Sequence, residues 1–199
     1  MGVSFIGIAT KAGEKELLAS IQKTNAQNKR DVDIIFDSEH SFETIILRKH
    51  GDNIIDIYTS EKGSVCTVSF NVYDHYLWKH EMSSFFDLFY FDVSETSMEH
   101  RFAFFAYGTE QCGMNVYDEG GSKRIHGNNF LKIQDNHDIF TKTFADAVSE
   151  YLPKPFGEML GSAGIVRRYI LTPKIPAEPE KPPVEVAKKK SFFKSLFGR

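Results

Sequence analysis

Short runs of β-branched and aromatic residues, separated by turn residues at intervals of about ten, constrain this chain more than any other feature. Four such runs follow one another at residues 32–36, 44–49, 54–59 and 65–73. The segments between them are rich in Asp, Asn, Ser and Gly, which are typical turn residues. A parallel return would need a crossover of about a dozen residues or more, so we expect antiparallel neighbours.

The rest of the chain continues this sheet and adds helices to it. We expect further strands at residues 3–9, 101–107, 114–117, 123–126, 130–133 and 165–171. Apolar residues spaced at three and four predict helices from Thr10 to near Arg30, over 74–91, from Asp135 or Asn136 to Leu152, and after Pro155. A strand at residues 88–93 is an alternative to the end of the second helix. Short apolar runs fit both periods, so this alternative stays open.

Strands that cluster between helices, rather than alternating with them, predict an α+β fold. We expect a mostly antiparallel sheet with three to four helices packed on it. The chain holds eighteen Phe and eight Tyr beside one Trp. Because each large ring buries roughly 150 to 250 Å², we expect an aromatic-rich core.

The composition changes abruptly after the last predicted strand. Five of the seven prolines fall within residues 173–187, among Lys and Glu. Such a segment buries too little apolar surface to offset its ordering entropy, so it predicts a disordered linker. The expected organisation is therefore a globular domain over residues 1–172, the linker over 173–187, and a short amphipathic tail over 188–199.

The charge of the chain is distributed unevenly between the body and the tail. Residues 188–199 hold five of the 24 Lys and Arg and none of the 27 Asp and Glu. Residues 1–187 therefore hold 19 cations and 27 acids, a formal charge of −8. An acidic body argues against nucleic acid, whose binding depends on Lys and Arg neutralising phosphates. It fits a basic protein partner, or plain solubility.

The tail has the pattern of a short amphipathic helix. Its predicted docking residues are Lys190, Phe192, Phe193, Lys194, Leu196 and Phe197, of which the four apolar ones share one face. A helix this short is marginal in water, so we expect it to fold only on a surface. Three surfaces stay open: an anionic membrane, bound weakly and reversibly; a groove on a partner protein; and the body of the chain itself.

No residue pattern in the sequence identifies a chemistry. The seven histidines lack the spacing of a zinc site, and no nucleotide-binding or nucleophile motif is present, so we expect neither a metal nor a cofactor. Cys112 is the candidate for a nucleophile, in an expected loop at 109–113, with a histidine such as His126 or His100 as its base. Cys66 and Cys112 are too few for a disulfide scaffold. With no secretory signal, we expect a cytoplasmic protein, peripheral at the inner membrane face if the tail binds lipid.

The leading hypothesis is therefore a non-enzymatic module that binds a protein partner. Interfaces concentrate aromatic side chains, and the predicted partner-binding residues are Tyr76, Trp78, Tyr107, Tyr117, Asp118 and Glu119. One form of such a module is a cognate inhibitor of the immunity type, which neutralises a basic partner such as a bacterial toxin. The alternatives are an accessory protein tethered to a membrane by its tail, and a small enzyme assembled around Cys112 and a histidine.

Overall fold

One antiparallel sheet organises the part of the chain that the computed structural model describes, which is residues 4–47, 53–69, 78–94, 99–117, 122–127 and 144–174. Its nine strands are β1 (Ser4–Thr10), β2 (Val32–Ser41), β3 (Ile54–Ser60), β4 (Gly63–Val68), β5 (Leu88–Ser94), β6 (Glu99–Ala106), β7 (Thr109–Tyr117), β8 (Ser122–Gly127) and β9 (Ile165–Pro173). Their spatial order is β2-β9-β3-β4-β1-β5-β6-β7-β8, and every neighbouring pair is antiparallel. The predicted α+β class and antiparallel sheet are confirmed.

Helices cover both faces of the sheet. They are α1 (Glu14–Gln27), α2 (Trp78–Met82), α3 (Ala145–Ser149) and α4 (Phe156–Met159), with a 3-10 helix at Phe42–Ile46. Helices α1 and α2 pack Leu17, Ile21 and Met82 on one face, together with Ile6 and Tyr90 of the sheet. The 3-10 helix, α3 and α4 cover the other face. The sheet is therefore the middle layer of three, and its central strands are buried on both sides.

The second face carries the aromatic core. Phe144 lies at its centre, with ring centroids 5.3 Å from Phe5, 5.0 Å from Phe91 and 5.0 Å from Phe156, each in an edge-to-face arrangement. Such pairs contribute about 0.5–1.5 kcal/mol beyond their buried area. The aromatic residues of the sequence therefore join α3 and α4 to the sheet, as the composition predicts.

The strand predicted at residues 44–49 is wrong in its described part. Residues 42–46 form the 3-10 helix, and residues 48–49 lie outside the described residues. Phe42 and Ile45, three residues apart, are both fully buried. Three residues make one turn of a 3-10 helix, so this spacing places both side chains on the sheet.

The helix predicted over residues 74–91 is also wrong in its second half. In the described residues the helix is confined to Trp78–Met82, and strand β5 begins at Leu88. The alternative strand is therefore the correct one. Leu88 and Tyr90 face α1 and α2, while Phe89 and Phe91 face the aromatic core. Burial on both faces gives a continuous apolar run without alternation, which sequence alone cannot distinguish from a helix.

Helix α3 is shorter than predicted, and the last strand is longer. Helix α3 ends at Ser149 and is followed by a turn, and α4 follows Pro155 as expected. The final strand continues to Pro173, two residues beyond its predicted end. The predicted strand at 130–133 and the start of the helix at Asp135 or Asn136 lie outside the described residues.

Candidate functional site

The tip of the β6–β7 hairpin carries an aromatic side chain that is almost fully exposed. Tyr107 is 90% exposed, against 51–56% for the other exposed large apolar residues of the described chain. Tyr107 and Gly108 form the two-residue loop, with φ angles of 53° and 76°. Loops with two positive φ angles are typical of β-hairpins and favour Asn-Gly. Gly108 suits its position, whereas Tyr107 adopts a conformation that a side chain with a Cβ disfavours.

The hairpin tip is held against helix α2. The backbone N–H of Gly108 donates a hydrogen bond to the carbonyl oxygen of Ser83 at 3.1 Å. The Nδ1 atom of His80 lies 3.3 Å from the carbonyl oxygen of Gly108, and its ring packs edge-on against Phe105 at 4.9 Å between centroids. Tyr107 therefore projects into solvent from a fixed base.

Behind the tip, on the face covered by α1 and α2, lies a chain of charged groups. Glu110 is largely buried, with its side chain 14% exposed. Its Oε2 accepts a hydrogen bond from Nη2 of Arg101 at 3.0 Å, and its Oε1 lies 2.7 Å from Nε2 of His126. A Cβ atom at Gly113 would approach Oε1 of Glu110 to 2.3 Å and Cε1 of His126 to 2.7 Å. The glycine in β7 thus leaves the space that Glu110 and His126 occupy.

Lys79 of α2 is buried beside this chain of charges. It is 1% exposed, and its Nζ lies 4.1 Å from the centroid of the Tyr90 ring and 5.6 Å from that of Phe105. Burial lowers the pKa of Lys79 to about 8, and repulsion from Arg101 acts in the same direction. Burial has the opposite effect on the acid Asp92 and raises its pKa. Oδ2 of Asp92 lies 3.5 Å from the Tyr90 hydroxyl.

Arg101, Glu110 and His126 connect strands β6, β7 and β8 near the base of the hairpin. Lys79 can exchange a proton in weakly alkaline solution, yet its burial keeps it from contact with a dissolved molecule. Oε2 of Glu110 is hydrogen-bonded to Arg101, and its Oε1 lies within ion-pair distance of Nε2 of His126. Because Glu110 follows Tyr107 by three residues, this pairing fixes the first residues of β7 and hence the hairpin tip.

The geometry keeps apart the two residues predicted as a catalytic pair. Cys112 lies within strand β7, not in the expected loop at 109–113, and is 4% exposed. It faces the same side of the sheet as Met114, which belongs to the aromatic core. His126 pairs in register with Gly113 and lies on the opposite side, beside Glu110. Alternate residues of a strand point to opposite faces, so the Cys112 thiol and the His126 imidazole do not meet.

The predicted partner-binding residues fall into three groups. Tyr107 is described and exposed at the hairpin tip. Trp78 begins α2 and Tyr117 ends β7, but the side chains of both lie outside the described part of the chain. The remaining predicted positions lie outside the described residues altogether: Tyr76, Asp118, Glu119, Lys190, Phe192, Phe193, Lys194, Leu196 and Phe197.

Sequence reasoning missed an exposed apolar site on strand β2. Ile35 and Phe36 are 52% and 51% exposed, at the middle of a ten-residue strand that pairs only with β9 among the described strands. The residue types predict a strand here, but only the strand order reveals that it lies at an edge of the sheet. The ion pair of Arg101 with Glu110 was also missed, because Glu110 falls in the loop predicted at 109–113, whereas the structure places it at the start of strand β7.

The described residues contain neither a cluster of metal-binding side chains nor a helix that could span a membrane. No group of three or more His, Cys, Asp or Glu side chains in those ranges could hold a metal ion. No helix within the same ranges has the length and apolar character needed to cross a bilayer.

The fold and the hairpin tip together define the class of this chain: an α+β protein with one large antiparallel sheet, helices on both faces and an exposed aromatic tip. Comparison with protein families, with curated proteins and with solved structures finds no match to the chain. Its function must therefore be inferred from its own residues.

Proposed function

We propose that this chain is a non-enzymatic module that binds a basic protein partner through the β6–β7 hairpin tip. The observation that carries the proposal is Tyr107, an aromatic side chain 90% exposed on a loop that α2 holds in place. Tyr is enriched among the few residues that supply most of an interface's binding energy. A cognate inhibitor of the immunity type is one form of such a module, with a basic bacterial toxin as its partner.

The backbone of Tyr107 gives the proposal its physical basis. A residue other than glycine with this positive φ costs roughly 1 kcal/mol relative to Gly. The side chain makes almost no contact that would offset this cost, because nine-tenths of its surface is in water. Asn would suit the turn better. A strained and exposed aromatic residue is therefore better explained by an external contact than by the stability of the fold.

The charge of the body supports a basic partner. Residues 1–187 carry a formal charge of −8, which attracts a positively charged protein over long range and accelerates its association. Attraction of this kind weakens as salt screens the exposed charges.

The test compares capture of partners by the full chain and by a Tyr107→Asn variant, at low and moderate salt. We expect the wild type to retain a basic protein that Tyr107→Asn loses. The matched control is Ile165→Thr, which shortens another half-exposed apolar side chain at the start of β9 and should retain the same protein. With the purified partner, Tyr107→Ala should weaken the affinity by about 30-fold or more, the effect of a typical hot-spot residue.

Two results would contradict the proposal. One is equal binding of the partner by wild type and Tyr107→Asn, which would place the interface elsewhere. The other is equal loss with Tyr107→Asn and Ile165→Thr, which would point to general destabilisation rather than a contact at the tip.

A further inference from the structure

Strand β2 forms an edge of the described sheet and has apolar side chains at its centre. Nine of its ten residues pair with β9 and none with another described strand, so alternate backbone N–H and C=O groups face outward. Ile35 and Phe36 lie on opposite faces there and are each about half exposed. The only described aromatic contact of Phe36 is with the Tyr169 ring, at 5.9 Å between centroids. An edge with this composition is a template for one more strand.

Lys174, the last described residue, lies at one end of this edge. Val32 pairs with Pro173, and the backbone N–H of Lys174 donates to the carbonyl oxygen of Asp31 at 2.8 Å. The Lys174 ammonium also lies 2.9 Å from Oδ1 of Asp31 and 3.5 Å from Oδ1 of Asp33. Everything after residue 174 is therefore tethered beside the first residues of β2.

We propose that the basic aromatic segment 188–199 docks on the outer edge of β2, adding its backbone as a strand against residues 34–39. Strand β2 is about 33 Å long at ~3.3 Å per residue. The intervening residues 175–187 can span about 40 Å at ~3.1 Å per residue, so the segment reaches either end of β2. The tether gives it an effective concentration near 1 mM, an advantage that no separate molecule has.

The apolar residues of the segment match the centre of the edge. Phe192, Phe193, Leu196 and Phe197 provide large side chains for either face of an added strand. Alternate residues of a strand point to opposite faces, so adjacent Phe192 and Phe193 can cover Ile35 on one side and Phe36 on the other. The same segment that could form a helix on a membrane would here be extended.

The charge match is local, at Asp37. Most acids near the edge already have a cation within 4 Å: Glu39 lies 3.4 Å from Arg167, and Asp33 lies 3.5 Å from Lys174. Asp37 has a longer-range attraction to Arg168. Asp37 is exposed at the β-bulge between Phe36 and Ser38, where its Oδ2 accepts a hydrogen bond from the Ser38 hydroxyl at 2.6 Å. The five cations of residues 188–199 place a positive charge within reach of this carboxylate.

Amide hydrogen exchange over residues 32–41 tests the proposal, in the full chain and in a chain ending at Ala187. An effective concentration near 1 mM and an intrinsic dissociation constant near 0.1 mM would slow exchange about 10-fold in the full chain. We expect that protection to be lost on truncation, and to be lost likewise in a full-length Phe192→Ser, Phe193→Ser variant. Asp37→Lys should reduce it, and strand β7 serves as the internal control because its exchange should not change.

A synthetic peptide of residues 188–199, added to the truncated chain, should restore the protection in a saturable manner. Identical exchange of β2 in the full and truncated chains would overturn the proposal, including the case in which the segment instead binds anionic vesicles. Protection that persists after truncation and rises with protein concentration would also overturn it, since a second copy would then occupy the edge. None of these results depends on Tyr107, so they are independent of the proposed partner binding.

Discussion

Arg168 and Asp56 form a bidentate ion pair across strands β9 and β3. Nε of Arg168 donates to Oδ1 of Asp56 at 2.7 Å, and its Nη2 donates to Oδ2 at 2.8 Å. The Asp56 side chain is fully buried, whereas that of Arg168 is 22% exposed. The hydrogen bonds to Asp56 raise the pKa of Arg168. The pair lies on the face of the sheet that carries the aromatic core, so a buried charge joins two neighbouring strands there.

Breaking this pair should destabilise the fold unequally, depending on which partner is removed. Arg168→Met leaves the Asp56 carboxylate buried without its guanidinium, and we expect the free energy of unfolding to fall by about 3–5 kcal/mol. Asp56→Asn should cost less, because Arg168 can turn its charge toward water. Urea denaturation of both variants measures the difference. A smaller loss for Arg168→Met than for Asp56→Asn would refute this assignment of roles.

Lys79 should make the stability depend on pH in weakly alkaline solution. Its folded pKa of about 8 lies below the value of roughly 10.4 in an unfolded chain. Between these values the unfolded chain binds more protons, so stability should rise with pH, by at most about 1.4 kcal/mol per unit. We expect Lys79→Met to remove this rise when unfolding free energies are compared from pH 7 to pH 9.5.

The comparison stops at pH 9.5 because two buried tyrosines lower the stability at higher pH. Burial raises the pKa of Tyr151 and of Tyr169 to about 12, above the ordinary tyrosine value of 10.0. Above pH 10 these two groups bind more protons in the folded state than in the unfolded chain, so the free energy of unfolding falls as the pH rises. Parallel pH profiles for wild type and Lys79→Met would show that Lys79 is not the group responsible.

Tyr107→Asn should raise the stability of the isolated protein. Asn tolerates a positive φ in a two-residue hairpin loop, so we expect the free energy of unfolding to increase by about 0.5–1 kcal/mol. Tyr107→Ala is the control, because alanine retains the Cβ that disfavours this conformation and should give little or no gain. Chemical denaturation distinguishes the two. A loss of stability in Tyr107→Asn would mean that the tyrosine ring supports the fold after all.

Gly7 in the central strand β1 should not accept a side chain. A Cβ atom there would lie 2.1 Å from the carbonyl oxygen of Cys66 and 2.8 Å from the ring of Phe91. We expect Gly7→Ala to lower the unfolding free energy by about 1–3 kcal/mol or more, as overpacking does. Gly157→Ala in α4 is the matched control: a Cβ there meets nothing within 4 Å, so the change should be neutral or stabilising. Equal effects of the two substitutions would contradict the close packing at Gly7.

Both cysteine thiols should react slowly with iodoacetamide in the folded protein. Cys66 is fully buried and Cys112 is 4% exposed. Labelling therefore requires local or global opening, and we expect it to be at least about 10-fold slower than in urea. Mass spectrometry of the labelled peptides measures each site separately. Rapid labelling of Cys112 in the native chain at neutral pH would support the hypothesis that Cys112 is a nucleophile, despite its separation from His126.

The sequence alone determines the class of the fold, because local features decide it. Turn residues between short β-branched runs predict antiparallel neighbours, which is correct for β3 and β4 but not for β2, whose partner is β9. The pattern of Leu17 and Ile21 predicts α1 without reference to the rest of the chain. The same reasoning selects Tyr107 as an aromatic candidate, although it cannot distinguish an exposed ring from a buried one. Tyr90 is also a tyrosine, yet it is fully buried.

Only the tertiary structure decides which strand lies at an edge, which face a side chain points to, and which distant groups meet. Residues 88–94 form a strand and not a helix because the sheet buries both of their faces. Cys112 and His126 are kept apart by the register of β7 and β8, and Asp56 finds Arg168 across 112 residues of chain. These outcomes depend on pairing between segments far apart in sequence, where local propensity carries no information.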